Sequence, residues 1–175
     1  STILRGDAAT GVDDRPTTST FFNGGWGLAP DDMWVVGLED IVLHRTGSGR
    51  WETMGVSTYR YLRAVWGSAA DDVWVAGDGG KVVHWDGSSW SERSIPTGGV
   101  VVAVWGFGPN DVWAVGAEDD GRGMIRHWNG SAWGRWSSPA AGGLWGVWGA
   151  LPDDVWAVGA DVAIVHWNGS AWRSV

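Results

Sequence analysis

No cysteine occurs in the 175 residues, which excludes disulfides, thiolate metal sites and cysteine nucleophiles. Basic residues are scarce too. Twelve Lys and Arg stand against 20 Asp and Glu, and the resulting net charge of -8 repels phosphate backbones and anionic membrane surfaces. No apolar run approaches the roughly 18 residues that would span a bilayer, and no charged-then-apolar leader opens the chain. Nucleic-acid partners and membrane insertion are therefore not expected. Tyr59 and Tyr61 are the only tyrosines, and no nucleophile elbow, phosphate loop or metal-ligand spacing is present. The sequence reads as a non-enzyme with no cofactor and no metal. Opening on Ser rather than Met, it is expected to be a processed or excised piece.

What is abundant is tryptophan and glycine, at 17 and 29 residues, and their spacing is regular. Trp-Gly occurs at Trp26, Trp66, Trp105 and Trp148, each followed eight residues later by Trp34, Trp74, Trp113 and Trp156. The four histidines of the chain, His44, His84, His127 and His166, follow those at intervals of 10, 10, 14 and 10. A third tryptophan closes each unit, at Trp51, Trp90, Trp133 and Trp172. The long interval in the third unit reflects the insertion in "AEDDGRGM". Four copies of about forty residues result, expected at 18–57, 58–97, 98–140 and 141–175. "TILRGDAATGV" overlays "AIVHWNGSAWR" as a degenerate half unit at 1–17.

Within a unit the segments are short, rich in Val, Trp and Ala, and separated by turn residues, which is the pattern of strands. "LWGVWG" is one strand, "PDD" a turn, "VWAVG" the next strand, "AIVHW" the third, and the last Trp starts the fourth. "NGS" and "DGS" predict tight hairpin turns with positive φ. "VWAVG" is apolar on both alternating faces, so each sheet is expected to be covered on both sides by its neighbours. Four-stranded units of forty residues stacked in this way predict an all-β fold, a β-propeller of four blades plus a half blade. Tryptophan fills the gaps that widen away from the axis, and Gly allows close approach near it. An unpaired edge at the end of such an array predicts a larger ring, completed by further sequence or by self-association.

The pattern "VWG....DVWAVG.....HWNGS.W" over residues 18–175 resembles the Trp-rich propeller repeats of secreted bacterial proteins, similar to tectonin-type and Asp-box repeats. The resemblance implies the propeller fold and a secreted or cell-surface bacterial location. "HWDGSSW" departs from a strict Asp-box, so sialidase chemistry is not implied. The four histidines, by likeness to WD-repeat proteins, are expected to bridge strands inside their own blade in a network of His, Ser, Trp and Asp. A shared metal ring is disfavoured, because equivalent residues on different blades lie too far apart for ligand distances of ~2.0 Å. The acidic pairs Asp31-Asp32, Asp71-Asp72 and Asp153-Asp154, with Asn110-Asp111, are expected to accept backbone N–H bonds in turns.

Trp85, Trp128 and Trp167 follow the histidines beside Asp86, Asn129 and Asn168. An indole next to a short polar side chain can stack on a pyranose while the polar group bonds its hydroxyls. These six residues are the candidate ligand-binding set of a multivalent carbohydrate-binding, lectin-like module. Packing of the same rings between blades is the alternative. Asn129 and Asn168 also begin N-x-S patterns, which Asn-Gly turn chemistry explains. The second functional reading is a protein-protein interaction scaffold of a secreted or surface protein with no small ligand. Its contact would sit at a single-unit exception, such as the insertion with Arg122 and Arg126, or the unrepeated Trp136 and Trp145. Glycans or surface proteins are the expected partners.

Overall fold

The computed structural model describes residues 21–47, 49–58 and 61–175, and among these every regular element is a strand. Four antiparallel sheets succeed one another along the chain, each with its four strands side by side in sequence order. The first holds β1 (Phe22–Ala29), β2 (Asp32–Gly37), β3 (Val42–Arg45) and β4 (Trp51–Thr53). The second holds β5 (Leu62–Ala69), β6 (Asp72–Gly77), β7 (Val82–Trp85) and β8 (Trp90–Glu92). In the third are β9 (Val100–Gly108), β10 (Asp111–Ala117), β11 (Gly123–Trp128) and β12 (Trp133–Trp136). The fourth comprises β13 (Leu144–Leu151), β14 (Asp154–Gly159), β15 (Ile164–Trp167) and β16 (Trp172–Ser174). The half unit expected at 1–17 lies outside the described residues.

First strands pack on first strands: β1 on β5, β5 on β9, β9 on β13. Their tryptophans converge. Trp26 lies 6.2 Å from Trp66 between ring centroids and 5.8 Å from Trp105, so the first and third sheets meet and the inner strands curve about a common line filled with indole. The glycines after Trp105 and Trp148 make room for this. A Cβ on Gly106 would sit 2.6 Å from the Trp66 ring, and one on Gly149 would sit 2.6 Å from Phe107. In the third and fourth sheets the Trp-Gly dipeptide thus lets a ring of the preceding sheet lie against its backbone.

Second strands are the most deeply buried elements. β6 is buried at every residue, as its two apolar faces require. The matching strand of the last sheet, β14, alternates between buried and partly exposed instead. One of its faces, at Trp156 and Val158, is partly open among the described residues.

Two kinds of turn join the strands. The "NGS" hairpins are not turns with positive φ at both central residues, as the Asn-Gly and Asp-Gly pairs suggested. Only the glycines, Gly87, Gly130 and Gly169, have positive φ. The preceding side chain closes the loop: Asn129 Oδ1 accepts from the backbone N–H of Ser131 and Ala132 at 3.0 Å, and Asn168 repeats this with Ser170 and Ala171.

The turns between second and third strands do place both central residues in the left-handed region. Gly79-Gly80 serves in the second sheet, but Glu39-Asp40 and Asp161-Val162 serve in the first and fourth. A β-branched residue at φ 59°, as Val162 is, meets the steric conflict that glycine escapes. Val162 is also 91% exposed and contributes little packing. Val162→Gly should therefore stabilise the protein by about 0.5–1 kcal/mol, after allowing for the greater freedom of unfolded glycine. A rise in the urea midpoint at constant slope is the check.

Candidate functional site

The most regular polar feature is a carboxylate–imidazole pair in every sheet. His44 Nε2 donates to Asp32 at 2.8 Å, His84 to Asp72 at 2.7 Å, His127 to Asp111 at 2.7 Å and His166 to Asp154 at 2.8 Å. Register causes this. Each His lies directly across from the second-strand Trp, and its ring stacks on that indole with centroids 3.8 to 4.4 Å apart. The second acid of each pair therefore serves an imidazole, which corrects the expectation that it caps a turn. In the second sheet the network is complete, since Asp72 also accepts from Trp74 Nε1 at 2.9 Å and from the Ser68 hydroxyl.

The network is structural. Each Nε2 is committed to a carboxylate of its own sheet, and no cluster of metal-ligating side chains occurs among the described residues. Burial is the largest single influence on Asp72 and raises its pKa, but the bonds from His84, Ser68 and Trp74 together outweigh it and hold the carboxyl below its ordinary value. Asp154 is lowered by His166 and then Trp156. A carboxyl depressed in the folded state stabilises the fold above its unfolded pKa of about 4 and loses that contribution as pH falls through the folded value. Stability should accordingly drop in the acid range below about pH 4. Asp72→Asn should be less stable at pH 7 and show a shallower acid loss in thermal melts.

The six residues selected for sugar binding are spent on folding. Trp128 and Trp167 are 7% and 6% exposed, and Trp85 is half-buried. Trp128 packs 5.5 Å from Trp74 of the preceding sheet and Trp167 packs 5.3 Å from Trp113. Their remaining approaches are taken by Arg93, whose guanidinium lies 5.9 Å from the Trp128 ring, and by Trp136, 4.5 Å from Trp167. Asn129 and Asn168 cap their own turns, and Asp86 does the same with Ser88 and Ser89. Those bonds, the Ser88 hydroxyl first, hold Asp86 far below the usual carboxylate range. Of the three indoles, Trp128 and Trp167 pack on the neighbouring sheet, whereas Trp85 stays partly exposed beside Trp34 and Trp90.

A surface that single-residue reasoning missed lies on the fourth sheet. Register puts Trp148, Trp156 and His166 in one cross-strand row and Val158 with Ile164 in the next. The equivalent indole of the third sheet, Trp113, packs on the fourth sheet and is buried by it. Here Trp148, Val158 and Ile164 are 53%, 48% and 41% exposed.

No protein-family model matches the chain, and no curated protein matches it. Solved structures do. YCF48 bound to a D1 peptide superposes with a TM-score of 0.68 at 18% identity, over 90% of this chain and 55% of that one. YCF48 from Cyanidioschyzon merolae gives 0.68 at 17% identity, over 92% and 57%. The WD40 beta propeller domain of Doa1 gives 0.69 at 11% identity, over 89% and 54%. The fold is a β-propeller. The chain spans about half the length of each of these structures, and its four sheets are blades.

The third blade carries the insertion. Glu118 accepts from the buried Arg126 at 2.8 Å and pairs with Arg135 at 3.4 Å, while Asp120 holds Arg122 at 2.8 Å. Asp119 accepts from the backbone of Gly98, in the connection from the second blade. Glu118, Asp119, Asp120, Arg122 and Arg135, with Trp136 and Ser138, border a polar cavity of about 460 Å³. Two of its three acids, Glu118 and Asp120, are paired with its arginines. Trp136 itself is less exceptional than its sequence suggests, because it covers Trp167 as Arg93 covers Trp128.

Proposed function

We propose that the protein is a protein-binding scaffold and that its recognition surface is the open face of the fourth blade. The observation that carries this reading is the gathering of Trp148, Val158 and Ile164, all at least 41% exposed, on one sheet face, where the counterparts of Val158 and Ile164 in the other blades are fully buried. Exposed apolar surface concentrated in this way marks interaction sites. A solved propeller of the same fold, YCF48, holds a D1 peptide, which supports a protein partner for this one. The glycan reading loses its support because its tryptophans are packed between blades. No catalytic step belongs to the proposal.

Ile164→Glu places a charge on the face without touching the interior of the blade array, whereas Asn168→Ala alters the hairpin once assigned to sugar. Protein capture by the immobilised chain should fall about tenfold or more with Ile164→Glu, because an unpaired charge in an apolar contact costs more than about 1.4 kcal/mol. Asn168→Ala should leave capture unchanged. Capture indifferent to Ile164→Glu, or specific retention on a glycan array, would overturn the proposal.

A further inference from the structure

A second cavity, of about 480 Å³, lies between two described blades. Asp111, Trp113, His127 and Trp136 of the third blade border it, with Asp153 and Trp167 of the fourth. Its volume is in the range of small-ligand sites. The polar groups around it are not fully used by the fold. Asp111 accepts from His127 alone, whereas Asp72, at the same position in the second blade, accepts from His84, Trp74 and Ser68. Trp113 Nε1 is buried without a partner, where the Nε1 groups of Trp74 and Trp156 donate to their acids. The Asp153 carboxylate has no hydrogen-bond or ion-pair partner among the described residues. Trp136, at 36% exposure, is the most accessible of the three indoles.

The preceding junction, between the second and third blades, differs at two positions. Arg93 stands three residues after Trp90, as Trp136 stands three after Trp133, and its guanidinium lies 5.9 Å from the Trp128 ring. Asn110 stands where Asp153 does, each one residue before the acid that holds the His of its blade. Passing from that junction to the next therefore removes a positive charge and adds a negative one. In the first blade the same position is Met54, packed on the core around Trp34. Of the three junctions, the last alone sets an exposed indole beside two acids that no Lys or Arg pairs with.

We propose that this cavity binds the guanidinium of an arginine side chain on a partner protein. The planar cation lies against the Trp136 indole while its N–H fork donates to the Asp153 and Asp111 carboxylates. Arginine fits better than lysine because a guanidinium is flat, weakly hydrated and stacks on rings, as Arg93 does on Trp128. The net charge of -8 draws a basic segment toward the site. A protein as the source of the arginine rests on the scaffold reading; the site itself does not.

The probe is N-acetyl-arginine amide, titrated into the 15N-labelled chain while the indole N–H resonances of Trp113, Trp136 and Trp167 are followed. Saturable shifts are expected at roughly millimolar probe, the affinity of one stacked and ion-paired side chain. N-acetyl-citrulline amide, equal in shape but uncharged, should bind at least about fivefold more weakly. Asp153→Asn should weaken the arginine probe about threefold. Trp136→Arg copies the second blade and fills the site with the chain's own guanidinium, so it should abolish the response at an unchanged melting temperature. Absence of saturable shifts, equal binding of the citrulline probe, or a response that survives Trp136→Arg overturns the inference. Free arginine carries a carboxylate that the two acids repel, so tighter binding of free arginine than of the blocked form overturns the partner source. If the probe fails while Ile164→Glu still abolishes protein capture, the scaffold reading stands and the arginine site alone falls.

Discussion

Gly116→Ala should lower stability by about 3 kcal/mol or more and the melting temperature by roughly 10 °C. The added Cβ would lie 1.9 Å from the carbonyl oxygen of Val100 and 2.9 Å from its carbon. Both are backbone atoms of the innermost strand, so no side chain can rotate away. To reach ordinary contact β9 would have to move by more than roughly 1 Å, and β9 is packed on β5 and β13 as well as on its own blade. The same collision recurs in all four blades, at Gly37 with Phe21 O, Gly77 with Tyr61 O and Gly159 with Gly143 O, at 2.2, 2.1 and 2.2 Å. In three of them that carbonyl accepts from the residue after the glycine, so a methyl group would also break a backbone bond. Gly108→Ala, where nothing lies within 4 Å, should change stability by less than about 0.5 kcal/mol and is the control. Thermal unfolding of the two variants side by side checks the pair.

That final glycine of "DVWAVG" shows how the sequence speaks. A residue fixed in four copies was visible as fixed, and strand boundaries followed from the turns around it: "VWAVG" is the body of β14 and "IVHW" is β15. The direction of side chains was legible where strand pairing alone sets it. A Trp and a His at constant spacing end up face to face because antiparallel register puts them there. Burial at strand ends was not legible, because it depends on what the neighbouring blade sends over. Trp167 looked like a free ring beside a turn, yet Trp113 and Trp136 close on it from the third blade. Nor did spacing reveal that Val162 would occupy a left-handed position held by Gly80 in the second blade, since turn length, not residue type, forces the angle. The sugar-binding set was chosen by residue chemistry, whereas the burial of Trp128 and Trp167 is decided by the rings that the neighbouring blade places against them.

Trp113 and Trp156 make that last distinction measurable. Both occupy the second position of "VWAV" in "DVWAVG", both stack on the His of their own blade, and they differ in what lies above them. Trp113 is 2% exposed under Trp167 and Trp172, while Trp156 is partly exposed on the open face. Trp113→Ala should cost about 3–5 kcal/mol, the range for emptying a buried indole site, because it removes the ring and leaves a cavity between two blades that cannot close without moving both sheets. Trp156→Ala should cost only about 1–2 kcal/mol, even though it forfeits a hydrogen bond to Asp154 that Trp113 has no counterpart for, since water already reaches its face and no cavity forms. Urea unfolding of both variants reads the difference directly. A gap of about 2 kcal/mol is the contribution of one seated hairpin to one indole. Equal losses would mean that the indole is held by its own blade alone, and the open face would then offer a partner little.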